Sequence, residues 1–413
     1  MNGVLFFLLV FFNYLNPISP IVTIVVDLLI LVLSGRAGFQ QSKLSNIVIK
    51  LGIVIWIWAL LVMAINLRFD TYIFFKYLRM PIMAFLLLGC VSSLKINEKI
   101  VLNSLYILCL ANLVAIGMEL LFPGTRVIMS HIFRTSREEV VLAFNYRVLG
   151  LTGGFELCAI LCIMLMVVAS YTYKIDHSLF HLVVIFLSFV SLAFVSRTGM
   201  LVGLLFLVYL TMGLFKSSKT FHKVLIGLFA FAVVSLAIYF VLPIVFNSSG
   251  LFDETMESRY EVDFGRDYGI GTATQLSAGG KHMNILKQPF VELLFGYGIN
   301  SEDIQTKVVN TDIGYLEYIC HIGFIGLGFV LLMHFLILKN LTQQNKRLKK
   351  IEGSDEIQII NRVSFSYIIL LLIFNYKLML LYSRGTFELM VILIFASEKL
   401  TNNKIQLWHQ TTK

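Results

Sequence analysis

The chain has 413 residues, 58% of them hydrophobic and 14% charged, with a net charge of +9. So little charge does not cover the surface of a water-soluble domain, which excludes a soluble enzyme and predicts a multi-pass membrane protein. The basic excess is dispersed through short loops, so it reads as membrane orientation and not as a nucleic-acid surface.

Apolar runs close to the roughly 17–25 residues needed to cross a bilayer lie near 3–15, 18–34, 46–66, 72–91, 100–122, 148–172, 178–195, 199–215, 224–246, 312–337, 363–382 and 385–398. They predict an all-α, polytopic membrane helix bundle of about twelve transmembrane helices, since helices satisfy their own backbone groups in lipid. No small-residue cleavage site follows the first run, which reads as a retained span. Cys90, Cys109, Cys158, Cys162 and Cys320 sit inside apolar runs without CxxC or zinc-finger spacing, so they read as small core residues and predict no disulfide framework.

Charge sets the orientation. Alternate loops carry Arg36 and Lys43; Lys95 and Lys99; Lys174; Lys216, Lys219 and Lys223; then Lys339, Lys346, Arg347, Lys349 and Lys350. The short loops of the other side hold only Arg68, Arg197 and Arg384. The positive-inside rule then predicts cytoplasmic termini and outward-facing loops at 123–147 and 247–311. The expected organisation is a bundle over 1–246, a large external loop over 247–311, three last spans over 312–398 and a cytoplasmic tail over 399–413. The large loop is too long for a mere connector and is expected to hold short helices near 253–262 and 281–294.

Arginine predominates where the outward face meets the helices: Arg147 opens the sixth span, Arg197 ends the seventh and Arg384 opens the twelfth. A guanidinium binds phosphate oxygens in pairs and keeps its proton, so three on the disfavoured side point to a shared anionic ligand. Single arginines at helix ends also anchor in lipid headgroups. Within the spans Asp27, Lys76, Arg79, Glu119, Glu156, Glu317, His321, His334, Lys377 and Glu388 are ionisable, and such groups face the bundle interior or water. Lys76 and Arg79 flank Tyr77 and suit either a diphosphate or a countering acid; Glu156 suits pairing with a cavity-facing arginine. In the large loop Arg266, Lys281, His282, Glu302, Asp303 and Asp312 are the candidates for acid–base work. Glu261-Val262-Asp263 is a weak metal-binding pattern, and P-loop, HExxH, GxSxG and kinase signatures are missing, so no metal, nucleotide or other cofactor is expected.

The layout resembles the bacterial O-antigen polymerases of the Wzy type and the O-antigen ligases. The resemblance rests on the span count, the late external loop and three local features: Arg147-Val148-Leu149-Gly150-Leu151, Ser196-Arg197-Thr198-Gly199, and Leu293-Leu294-Phe295-Gly296-Tyr297-Gly298 leading to Asp312 and Gly323-Phe324-Ile325-Gly326. It implies metal-independent glycosyl transfer at the outer face of a bacterial inner membrane. The donor would be an oligosaccharide on undecaprenyl diphosphate, the acceptor a hydroxyl of a second lipid-linked repeat, and a chain-length regulator a possible partner. Asp312, Arg266 and His282 would carry the chemistry; Arg147, Arg197, Arg384 and Lys281 would bind diphosphate. Ligases place a histidine about eleven positions before the first glycine of the GxxG pair. Here that position is Asp312, which favours a polymerase over a ligase and makes Asp312 the expected base or acceptor-orienting residue. A flippase for lipid-linked sugars is the alternative from another class, and it predicts broken helices with charges near the bilayer midplane.

Overall fold

The computed structural model describes residues 1–15, 20–34, 42–122, 124–133, 148–214, 289–298, 314–377 and 379–411. Among them every regular element is a helix. The order is α1 (Asn2–Leu15), α2 (Pro20–Ser34), α3 (Lys43–Ile65), α4 (Thr71–Ser93), α5 (Glu98–Leu121), α6 (Gly124–Phe133), α7 (Phe155–Asp176), α8 (Leu179–Val195), α9 (Arg197–Leu214), α10 (Phe290–Phe295), α11 (Gly314–Leu348), α12 (Asp355–Phe374) and α13 (Thr386–Thr411). Six of these, α3, α4, α5, α7, α11 and α12, are long and apolar enough to cross a membrane. Ile21, Leu28, Val32, Phe75, Phe85 and Leu201 are each half or more exposed, a surface that hydrocarbon tolerates and water does not.

Two compact units make up the chain: residues 1–111, 131–134 and 282–413, and residues 112–130 and 135–281. In the first, α3 packs on α4 and α11, α13 packs on α4 and α12, and α1 and α2 pack together and against α13 and α4 respectively. In the second, α7, α8 and α9 pack on one another.

The α3–α4 pair is held at both termini by two neighbouring residues of α13. The first amides of a helix lack intrahelical acceptors and its last carbonyls lack donors. Glu398 accepts from the Leu44 amide at 3.0 and 3.1 Å and from the Ser42 hydroxyl, so it caps the start of α3. Lys399 donates to the carbonyls of Val91, Ser92 and Leu94 at 2.9, 2.8 and 2.7 Å, so it closes the end of α4. Each charge also has the sign that the helix dipole favours at that terminus.

Helix α11 is broken at Gly323, whose φ of 66° and ψ of −178° only glycine adopts easily. The break releases carbonyls, and the segment after α10 takes them: Tyr297 N donates to Cys320 O at 2.7 Å and Gly298 N to His321 O at 3.2 Å. Trp58 of α3 donates to Ile322 O at 2.8 Å and its ring stacks on Phe295. Backbones approach so closely that a Cβ on Gly323 would lie 2.3 Å from Leu294 O, and one on Gly296 would lie 2.4 Å from Gly323 N. The two glycine motifs of the sequence analysis, Gly296-Tyr297-Gly298 and Gly323-Phe324-Ile325-Gly326, therefore meet in one joint.

Helix boundaries depart from the apolar runs at predictable places. The run 312–337 becomes α11, which continues to Leu348 through Gln343, Gln344, Asn345 and Lys346, because hydropathy marks the lipid-embedded length and not the helix length. The run 363–382 becomes α12, which starts at Asp355 and stops at Phe374. It stops because Asn375 Oδ1 accepts from Leu380 N at 2.8 Å and Leu381 N at 3.1 Å, drawing the following residues into a turn. The sixth span begins at Phe155 instead of 148, after a turn in which Leu149 N donates to Glu119 and Leu151 N to Asn112. Of the expected loop helices, 281–294 overlaps α10 after Pro289 and 253–262 lies outside the described residues, as does the expected span 224–246.

Gly323→Ala is expected to lower stability by at least about 2 kcal/mol, from a strained φ and a backbone clash. Glu398→Ala is expected to cost about 1–2 kcal/mol through the lost cap and the polar groups left unpaired. Thermal unfolding of the detergent-purified protein measures both, and unchanged midpoints would remove these joints as determinants of the fold.

Candidate anion-binding site

The ion pairs of the first unit gather at one end of it, where α4 and α11 begin and α12 turns into α13. Asp70 starts α4 by accepting from Ile73 N at 3.0 Å. Lys76 and Arg79 then lie one and two turns into the helix. Pro81 follows, and without an N–H it removes the helix bond to the Tyr77 carbonyl beside them.

Each of the two cations meets an acid from another helix. Lys76 Nζ is 3.5 Å from Glu317 Oε1 in the first turn of α11, and Arg79 Nε is 3.4 Å from Glu388 Oε1 in the first turn of α13. Glu388 is buried and works in two directions, because its Oε2 also accepts from the Gly385 amide at 2.7 Å. That is the carboxylate half of a capping box, with Gly385 before the helix and Glu388 at its third residue. Arg79 Nη2 donates to Tyr382 O at 2.9 Å, which ties the turn 379–385 to α4 a second time. Lys76 Nζ also lies 2.9 Å from Met379 Sδ.

Arg384 is the third cation. Gly385, at φ of 90°, turns the chain so tightly against α1 that an added Cβ would meet Tyr14 O at 2.5 Å. The preceding Arg384 then reaches Thr23 Oγ1 of α2 at 3.5 Å. Burial lowers this guanidinium to about 10, with Glu388 opposing and Arg79 adding to the drop, which leaves it charged at neutral pH.

Thr71, Tyr72, Phe75, Lys76, Arg79, Tyr382, Ser383 and Arg384 line a cavity of about 490 Å³. Its size falls within the range of about 300–1,000 Å³ common for small-ligand sites. Three cations line it, with Glu317 facing Lys76 and Glu388 facing Arg79 behind them. Beneath lie the buried rings of Tyr77, Tyr318 and Tyr382, packed edge to face, with His321 against Tyr77 and His334 against Tyr382. Such a site suits an anion: a phosphate oxygen entering it competes with Glu317 and Glu388 for cations that those acids face at 3.5 and 3.4 Å.

Of the site residues that the resemblance implied, only Arg384 has a described side chain in this cavity. Arg197 opens α9, with its side chain outside the description; Arg147, Arg266, Lys281, His282 and Asp312 lie outside the described residues. In the second unit, Val148 N donates to Phe194 O at 3.2 Å, two residues before Ser196. Lys76 and Arg79 were legible as candidates. Their partners were not, since Glu317 and Glu388 are 241 and 309 positions further on (317 − 76 and 388 − 79). Asp27 carries out a structural task, accepting from Asn13 Nδ2 at 2.7 Å between α1 and α2.

No family model matches the chain, and no curated protein matches it.

A double-mutant cycle of Arg79→Ala and Glu388→Ala is expected to give a coupling of about 0.5–3 kcal/mol in thermal unfolding, because loss of Arg79 leaves the buried Glu388 uncompensated. Strict additivity would mean that the pair is geometric only.

Proposed function

We propose that the protein is a bacterial surface-polysaccharide polymerase, which transfers a growing glycan from undecaprenyl diphosphate to a hydroxyl of another lipid-linked repeat at the outer face of the inner membrane. The observation that carries the reading is the cavity lined by Lys76, Arg79 and Arg384. Cations there suit a diphosphate that acquires charge as it leaves, and their placement in a low-dielectric bundle strengthens that stabilisation. Charge counting assigns this end of α4, α11 and α13 to the outer face, where lipid-linked repeats are presented. The exposed Tyr72, Phe75, Ile82 and Phe85 continue down α4 from the cavity and suit a hydrocarbon chain attached to the headgroup.

In this reading Arg384 is a donor ligand, with Lys76 and Arg79 added to it. Arg147, Arg197 and Lys281 are kept as further diphosphate ligands, and Asp312, Arg266 and His282 as the catalytic set, Asp312 being the base or acceptor-orienting residue. The alternation of loop charges supports cytoplasmic termini and an external 247–311 loop. The break in α11 favours a second reading, a flippase for lipid-linked sugars. Among the described helices, however, Gly323 is the only interior residue with non-helical dihedrals, whereas inverted repeats call for a matching break.

Purified protein supplied with synthetic undecaprenyl-diphosphate repeats is expected to produce a ladder of lengthened chains. Product formed only with a separate lipid A core acceptor would indicate a ligase, and movement of the repeat across the bilayer without product a flippase. Arg384→Ala is expected to lower polymer formation about 100-fold or more, the usual effect of removing one donor to a developing anion. Normal chain length from that variant would overturn the assignment of this cavity.

A further inference from the structure

Resting on the polymerase reading, we infer that Glu317, with His321 beside it, is the proton acceptor for the attacking hydroxyl, which leaves Asp312 as the acceptor-orienting residue. Lys76 joins the two functions, because it lines the anion cavity and pairs with Glu317 through the same ammonium. Glu317 is partly exposed, so its carboxylate is reachable, whereas His321 is wholly buried. Glu317 Oε1 lies 3.8 Å from His321 Nε2, beyond hydrogen-bonding distance, and that buried nitrogen has no hydrogen-bond partner among the described residues. A buried ring nitrogen left unmatched next to a carboxylate marks a place for a hydroxyl or a water. Tyr77 Oη lies 3.5 Å from Nδ1, on the other side of the ring.

The step balances without a further reactant. The acceptor O–H is held by Glu317, its proton passes to the carboxylate, and the oxygen forms a bond to the anomeric carbon. The bond from that carbon to the phosphate oxygen breaks, its electron pair leaving with the lipid diphosphate, where Arg384 and Arg79 meet the added charge. The partly exposed Glu317 then gives the proton to water. An arriving diphosphate draws Lys76 toward itself and so releases Glu317 to act as base, which couples acceptor activation to donor binding.

The joint at Gly323 serves this arrangement. Tyr297 and Gly298 bind the carbonyls of Cys320 and His321, fixing the turn of α11 that carries both groups. Among the described residues, the charged and titratable groups facing Glu317 include Lys76 and Tyr77 from α4, with His321, Tyr318 and Cys320 on α11 itself. Tyr382 lies against the two tyrosines.

The test is the ladder assay across pH, with an inert undecaprenyl-diphosphate analogue binding in parallel. Glu317→Gln is expected to lower kcat by about 10²–10⁴-fold, the usual share of a general base, with analogue affinity changed less than about threefold. His321→Asn is expected to lower kcat with KM unchanged. A Glu317→Gln variant with kcat within about twofold of wild type overturns the inference and leaves the polymerase reading standing. A wild-type protein that makes no polymer overturns both. If Glu317→Gln does not accumulate in membranes, Glu317→Asp decides: the acid limb of its kcat/KM profile moves if residue 317 is the base, and an unmoved limb overturns the inference.

Discussion

A charge inside an apolar bundle needs a partner, and the first unit is arranged around that requirement. Glu388 shows it most fully. Its carboxylate starts α13 by holding the Gly385 amide and faces Arg79 of α4, which in turn holds the Tyr382 carbonyl. Removing Arg79 leaves the buried Glu388 carboxylate without its countercharge, and such a group costs more than the bond itself contributes. The turn between α12 and α13 is thus shaped by electrostatics, although apolar packing surrounds it.

The same rule operates at the other end of the bundle with simpler chemistry. Glu398 and Lys399 meet amides and carbonyls left over by α3 and α4, so helix ends take the place of countercharges. Both ends of the α3–α4 pair are therefore tied to α13, one through side-chain ion pairs and one through caps. What differs is access. The clamp at Glu398 is taken up by backbone amides and the Ser42 hydroxyl, whereas Lys76, Arg79 and Arg384 line an open cavity. An anion has a reason to enter there.

Between the two ends, the broken α11 connects the loop that precedes it to the ion pairs. Gly323 opens three carbonyls, and the Gly296-Tyr297-Gly298 segment and Trp58 occupy them. Glu317 and His321 lie in the turns just before the break, so the position of both depends on how that segment docks.

The sequence alone determined the all-helical character, the presence of apolar helices long enough to cross a membrane and the importance of two glycine motifs, because hydropathy, length and backbone permissiveness are local properties. It also marked Lys76, Arg79 and Arg384 as cations in costly places. It misjudged where α11, α12 and α13 end, since polar residues extend a helix past the lipid-embedded length and a single Asn375 ends α12 by side-chain bonding. Only the tertiary structure decided which acid meets which base. Lys76 with Glu317 and Arg79 with Glu388 are contacts across more than half the chain, and no spacing encodes them. They exist because folding brings three helix ends together, where the cost of unpaired charge selects the partners.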